Sequence, residues 1–153
     1  MITIRRATGQ DVSYLQALNN EVFVDNQQYD SDPQVGWSLT DEAKGYYTSM
    51  ARDADALCLI AEENGKRIGY LAGSKKEEVG RKSRYLEVND MGVSPAYRSK
   101  GVGRMLLDEC FKIAKEKGFD RVFVRVYFDN AKAIGFYKNS GFKEIELGLE
   151  RAL

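Results

Sequence analysis

The chain has 153 residues, 43% of them hydrophobic, and its 23 basic and 23 acidic side chains cancel to zero net charge. That length suits one domain over 1–153 with a single core, and the balanced charge lacks the Lys and Arg excess of a nucleic-acid binder. Histidine is absent, which removes the Ser-His-Asp triad, the Cys-His pair and the imidazole zinc site, so no metal is expected.

In chain order, Ile2-Thr3-Ile4-Arg5 alternates as a short strand. Asp11 to about Asn26 carries an apolar stripe at Val12, Leu15, Leu18, Val22 and Phe23, which predicts a helix. Residues 27–39 read as a loop, and Thr40-Asp41-Glu42 opens a second helix to about Arg52, with acids at its positive end. Ala56 to Glu63, a turn at Asn64-Gly65-Lys66, and Arg67 to about Lys75 read as a β-hairpin. A charged connection leads to a strand over Arg84 to Val93.

Gly103 to Lys117 has the broadest apolar face, with Gly118 as its stop. A strand over Arg121 to Phe128, a short helix over Ala131 to Asn139 and a closing strand over Phe142 to Leu149 complete the pattern. The order β-α-α-β-β-β-α-β-α-β predicts an α/β, layered α+β protein, with helices flanking a mixed, largely antiparallel sheet. Cys58 and Cys110 lie in apolar runs and read as buried thiols of a reduced, cytoplasmic protein. No signal peptide is read, and no apolar run approaches the ~18 residues of a membrane span.

The segment Val93-Ser94-Pro95-Ala96-Tyr97-Arg98-Ser99-Lys100-Gly101-Val102-Gly103 lies between a strand and the long helix. The first N–H groups of a helix lack partners, and together with the helix dipole they form an anion site. Gly101 and Gly103 let the backbone approach a ligand, while Arg98, Lys100 and Arg104 add positive charge, so a diphosphate is the natural occupant. The competing reading is a tight strand-to-helix turn with no ligand. There is no GxxxxGK[ST], and Leu106 stands where a dinucleotide fingerprint needs its third glycine.

This segment resembles motif A of the GNAT superfamily of acetyl-CoA-dependent N-acetyltransferases. A second segment agrees: Asn130-Ala131-Lys132-Ala133-Ile134-Gly135-Phe136-Tyr137-Lys138-Asn139-Ser140-Gly141-Phe142 resembles the family's Asn-x-x-Ala-x-x-Phe-Tyr-x-x-x-Gly-Phe signature. The resemblance implies a GNAT-like fold and acetyl-CoA as cofactor. It implies main-chain bonds from Met91, Gly92 and Val93 to the pantetheine arm, and a pyrophosphate held by the amides of Arg98, Ser99, Lys100, Gly101, Val102 and Gly103. Asn130 is expected on the pantetheine or a bridging water, with Ala133 and Phe136 packed along the cofactor.

Tyr137 is the position of the family's general acid near the cofactor sulfur; a plain core aromatic is the alternative. A phenol is a weaker acid than a thiol, so hydrogen bonding to the departing thiolate is the role the chemistry favours. An alkylamine is almost wholly protonated at neutral pH, so a base in place is an advantage. Glu87, six residues before Val93, matches the base of the histone-acetyltransferase branch, and a salt-bridge glutamate is the alternative. Strand alternation puts Glu87, Asn89 and Met91 on one face, unless a bulge intervenes, and leaves Asp90 out of phase.

The region expected to border the acceptor carries Glu21, Asp25, Asp30, Asp32, Asp41 and Glu42 with Tyr29, Trp37, Tyr46 and Tyr47. This mixture suits a cationic amine; an ordinary acidic surface is the alternative. The expected reaction is acetyl transfer from acetyl-CoA to a primary amine by direct attack in a ternary complex. A non-catalytic acyl-CoA sensor of the same fold is the competing function. A homodimer paired through the closing strand is the expected assembly, with neither nucleic acid nor membrane as a partner.

Overall fold

The computed structural model describes residues Met1–Leu153. Five strands, β1 (Ile2–Arg6), β2 (Leu57–Glu63), β3 (Lys66–Lys76), β4 (Tyr85–Val93) and β5 (Arg121–Val124), form one sheet in sequence order. β1 to β4 pair antiparallel, and β5 joins β4 in parallel. The helices are α1 (Val12–Asn26), α2 (Asp41–Arg52), α3 (Val102–Glu116) and α4 (Ala131–Asn139). The hairpin between β2 and β3 turns on Asn64 and Gly65, both at positive φ, as a two-residue turn of this hand requires.

Both faces of the sheet are covered. Leu57, Leu59 and Ala61 of β2 pack with Ile68, Leu71, Leu86 and Val88 against Val102, Leu106, Leu107 and Cys110 of α3. The alternate residues Cys58 and Ile60, with Tyr70 and Ala72 of β3, pack against Val12, Leu15 and Leu18 of α1 and Tyr47 and Met50 of α2. Double coverage explains why the period-two signal in β2 is a continuous apolar run. Cys58 and Cys110 are buried and free, and burial pushes each thiol up to about 12.

A turn over Gly9–Asp11 precedes α1 and carries a capping box with Thr8. Asp11, fully buried, accepts from Arg5 Nη1 at 2.8 Å, Arg67 Nε at 2.5 Å and the Thr8 amide at 2.7 Å. This ties β1, β3 and the entry to α1 together. Two guanidinium groups hold its carboxylate well below the usual range despite burial.

Two readings of the C-terminal half are corrected. β5 pairs only over Arg121–Val124 instead of running to Phe128, because it shares just four pairs with β4, ending at Val88↔Val124. Residues 142–149 alternate as read, yet they form no ladder: Ile145, Leu147 and Leu149 are 49, 63 and 88% exposed. Periodicity states which side chains share a face; a strand also needs a neighbour to bond, and this segment makes no ladder with any of the five strands.

Candidate active site

β4 is irregular where it matters. Ala72 pairs with Asp90 but Gly73 pairs with Val88, so Asn89 is an extra residue, a β-bulge. The bulge resets the alternation. Met91 packs with Leu86 and Val88 on the α3 side, whereas Asp90, opposite Ala72, faces α2, where Tyr47 Oη donates to its Oδ1 at 3.3 Å. The expectation that Glu87 and Met91 share a face is therefore corrected: Glu87 shares its face with Asp90.

Beyond Val88 and Val124 the parallel pairing stops, so Asn89 to Val93 have no ladder partner on the β5 side. Met91, Gly92 and Val93 thus border an open wedge between the strands. The chain then passes through a turn at Pro95–Tyr97 into the loop that starts α3. Ser99 (φ 61) and Gly101 (φ 81) are both left-handed, and Gly101 is the N-cap of α3. A Cβ at Gly103 would lie 3.2 Å from Phe136 Cζ, so the α3 start and α4 touch there.

The amides of Ser99, Lys100, Gly101, Val102, Gly103 and Arg104 donate to no acceptor in the chain. Met105 is the first to bond back, to Gly101 O at 3.0 Å. Arg98 is the exception among the expected donors: its amide bonds Pro95 O at 3.3 Å, and its guanidinium turns back to Val93 O at 3.0 Å and Asp25 at 3.1 Å. Arg98 therefore braces the loop, and the free run begins one residue later than expected. Arg104 pairs with Asp108 at 2.8 Å, and Lys100 Nζ lies 5.1 Å from the centre of the Tyr97 ring.

α4 packs its Phe136 and Tyr137 against the core on the α3 side of the sheet. Asn130 caps it, its Oδ1 accepting from the Ala133 amide at 3.1 Å. Its amide nitrogen is left for another partner. Phe136 and Tyr137 meet edge to face at 5.1 Å, and Tyr137 meets Phe142 at 5.4 Å. Burial, then the charge of Asp90, push the Tyr137 hydroxyl up to about 12. Glu87 lies 3.9 Å from Arg125 and is 20% exposed.

Of the acidic and aromatic residues between α1 and α2, the structure gathers only some. Trp37, Tyr46 and Tyr47 form a continuous aromatic run, with centroids 6.2 and 5.0 Å apart, and Trp37 donates to Glu42 at 3.3 Å. Asp25 is taken by Arg98, and Tyr29 stacks on Tyr127 at 6.0 Å.

Residues 17–142 match the model of the acetyltransferase (GNAT) family. The chain belongs to that family. It is 33% identical over 105 residues to an uncharacterised N-acetyltransferase of Methanocaldococcus jannaschii, a match that takes in 64% of this chain and 43% of that protein. The chain thus spans less than half the length of that relative. Among solved structures, a mutant protein of Bacillus halodurans superposes with a TM-score of 0.86 at 19% identity over 99% of both chains. AAC(6')-Iy in complex with a CoA bisubstrate analog superposes with a TM-score of 0.76 at 18% identity, covering 100% of this chain and 98% of that one. These likenesses establish a GNAT-type fold. No helix of this GNAT chain is long and apolar enough to cross a membrane.

Proposed function

We propose that this is a single-domain N-acetyltransferase over 1–153 that carries the acetyl group of acetyl-CoA to a primary amine by direct attack in a ternary complex. The observation that carries this reading is the run of six partnerless amides from Ser99 to Arg104 at the start of α3. Such a run, at the positive end of a helix and bare of obstructing side chains at Gly101 and Gly103, is a site for a diphosphate. Coenzyme A supplies a diphosphate and an amide-bearing arm. Met91, Gly92 and Val93 offer that arm a strand edge in the wedge, with Asn130, Ala133 and Phe136 opposite.

Tyr137 is the group that receives the leaving sulfur. A phenol pushed up to about 12 does not give its proton away outright to a thiolate of pKa ~8.5. It donates a hydrogen bond to that thiolate, which favours C–S cleavage. On the acceptor side, Glu87 adds a carboxylate to the face that also holds Asp90, and either can serve the amine as a base. Trp37 and Tyr46 offer aromatic faces backed by the buried Tyr47, a combination that suits a cationic small molecule or a peptide or protein amine.

Two further readings accompany this one. Buried, unpaired thiols fit a reducing compartment, so we place the protein in the cytoplasm. The alternating, unpaired segment 142–149 fits the free edge of β5 in a second copy, which makes a homodimer; no nucleic-acid or membrane partner is invoked.

The test is calorimetry with CoA together with thiol release from acetyl-CoA on adding spermidine, kanamycin or a short peptide with a free N-terminus. Binding plus amine-dependent release is the expected result. Tight binding with no release on any amine would make the chain an acyl-CoA sensor, and absence of binding would remove the reading altogether.

A further inference from the structure

β4 and β5 pair as far as Val88↔Val124, and the next residue on the β5 side is Arg125. Its Nε lies 3.9 Å from Glu87 Oε1, so the two side chains face each other where the strands begin to part. At that distance the charges attract, yet the gap exceeds the roughly 2.9 Å of a charge-assisted hydrogen bond. The guanidinium rests against the Phe123 ring, whose centre is 5.8 Å away, and Phe123 is the parallel partner of Glu87. Lys76 lies over the same ring at 4.7 Å, but its ammonium is already paired with Glu78. Arg125 is the open cation of this group: its side chain is 73% exposed, against 11% for Lys76.

This juxtaposition limits what can approach the face. An amine drawn to Glu87 arrives as an ammonium, and the carboxylate that attracts it stands beside a like charge. A plain alkylamine is thus attracted and repelled at one place, and a polyamine brings still more positive charge to the guanidinium. A molecule with a carboxylate next to its ammonium meets no such conflict. Its negative group takes the fork of Arg125 in two parallel N–H···O bonds, and its positive group takes Glu87. The surroundings offer room for an uncharged side chain as well. Burial, then the charge of Asp90 and more weakly that of Glu87, raise the Tyr46 hydroxyl, which places that neutral ring near both acids. Trp37, with its ring centre 6.2 Å from that of Tyr46, extends the same wall.

Resting on the transferase reading above, we propose that the acceptor is an α-amino acid and that Arg125 selects it, holding the carboxylate while the ammonium lies against Glu87. The two charges of an α-amino acid hang on one carbon, so both strands are met at once. In the transfer, the nitrogen gives one proton to the β4 carboxylates and through them to water. It bonds to the acyl carbon and passes a second proton to the sulfur as the C–S bond breaks. The products are an N-acetyl amino acid, CoA thiol and one proton. Acetylation removes the positive charge, so the product keeps its bond to Arg125 and loses its attraction to Glu87.

The test measures thiol release from acetyl-CoA with phenylalanine, methionine, lysine and glutamate, each as the free acid and as the primary amide, beside spermidine and kanamycin. In the wild type at least one free acid is expected to exceed its own amide in kcat/KM by about tenfold, the size of one charge-assisted contact. R125A should lose that margin, its fall on the free acid exceeding its fall on the amide by the same factor. R125K keeps the charge without the fork and should stand between R125A and the wild type. Calorimetry checks that R125A binds CoA as the wild type does. Free acids no better than their amides, turnover of spermidine or kanamycin alone, an equal fall of R125A on acid and amide, or loss of CoA binding in R125A would each overturn the amino-acid acceptor. All four leave the transferase reading standing. CoA binding with no thiol release on any amine would remove that reading and this one with it.

Discussion

Gly103 on the first turn of α3 and Phe136 on α4 stand so close that a single added carbon would lie 3.2 Å from the aromatic ring. The contact joins the end of one helix that carries the free amides, the proposed anion site, to the aromatic side chains of the other. A long acidic side chain at this point both displaces Phe136 and puts negative charge among free amides. Gly103→Glu is therefore expected to abolish CoA binding in calorimetry while the far-UV circular dichroism stays native. Gly101→Glu should do the same from open space, with an added cost of about 1–2 kcal/mol for a left-handed non-glycine residue. Unchanged affinity in both variants would contradict the cradle.

Tyr137→Phe keeps the ring contacts with Phe136 and Phe142 and removes only the hydroxyl. We expect kcat to fall by about a hundredfold, the size of losing one preorganised donor to a developing anion. CoA affinity should be nearly unchanged, because no cradle amide is touched. Steady-state kinetics beside calorimetry separates the two effects. A variant with full kcat would leave Tyr137 as a packing residue only.

Asp11 governs acid stability. Its carboxylate is depressed in the fold by Arg5 and Arg67, so the stabilisation it gives is complete above about pH 4 and is lost as pH falls below that value toward the folded-state pKa. Asp11→Asn should be less stable at neutral pH, by about 3 kcal/mol for a broken buried pair. It should also show a flatter decline below about pH 4. Urea unfolding followed at several pH values checks both signs, and parallel acid limbs for the two proteins would refute the assignment.

The C-terminal segment carries the expectation of a second copy. Leu147→Asp places a charge in the exposed alternating row of Ile145, Leu147 and Leu149 and should turn a dimer into a monomer in sedimentation velocity. The fold itself should be little affected, since the side chain already faces outward. A wild-type chain that sediments as a monomer at all concentrations would remove the pairing.

Much of this was legible from residue order. The hairpin turn at Asn64-Gly65, the helix over Ala131–Asn139 and the loop before α3 are set by local chemistry: turn residues, a capping asparagine, glycines. What escaped the sequence depends on partners distant along the chain. The bulge at Asn89 comes from the register between β3 and β4, and no period in β4 alone discloses it, so Asp90 looked out of phase. Arg98 reads as a phosphate ligand by type and place, yet the fold gives it Val93 O and Asp25 instead. The Ser38–Asn19–Tyr70 chain spans α1, β3 and the approach to α2, and its members stand far apart in sequence, in a helix, a strand and a loop.

The divergence of β4 from β5 after Val88 has one more consequence. On the proposed reading, what enters the gap is gripped by peptide groups, which every residue type except proline possesses in full. Side chains along the rim can then drift through evolution while the grip persists. A lineage built this way can change the molecule it modifies and retain its donor, with sequence identity falling far faster than shape.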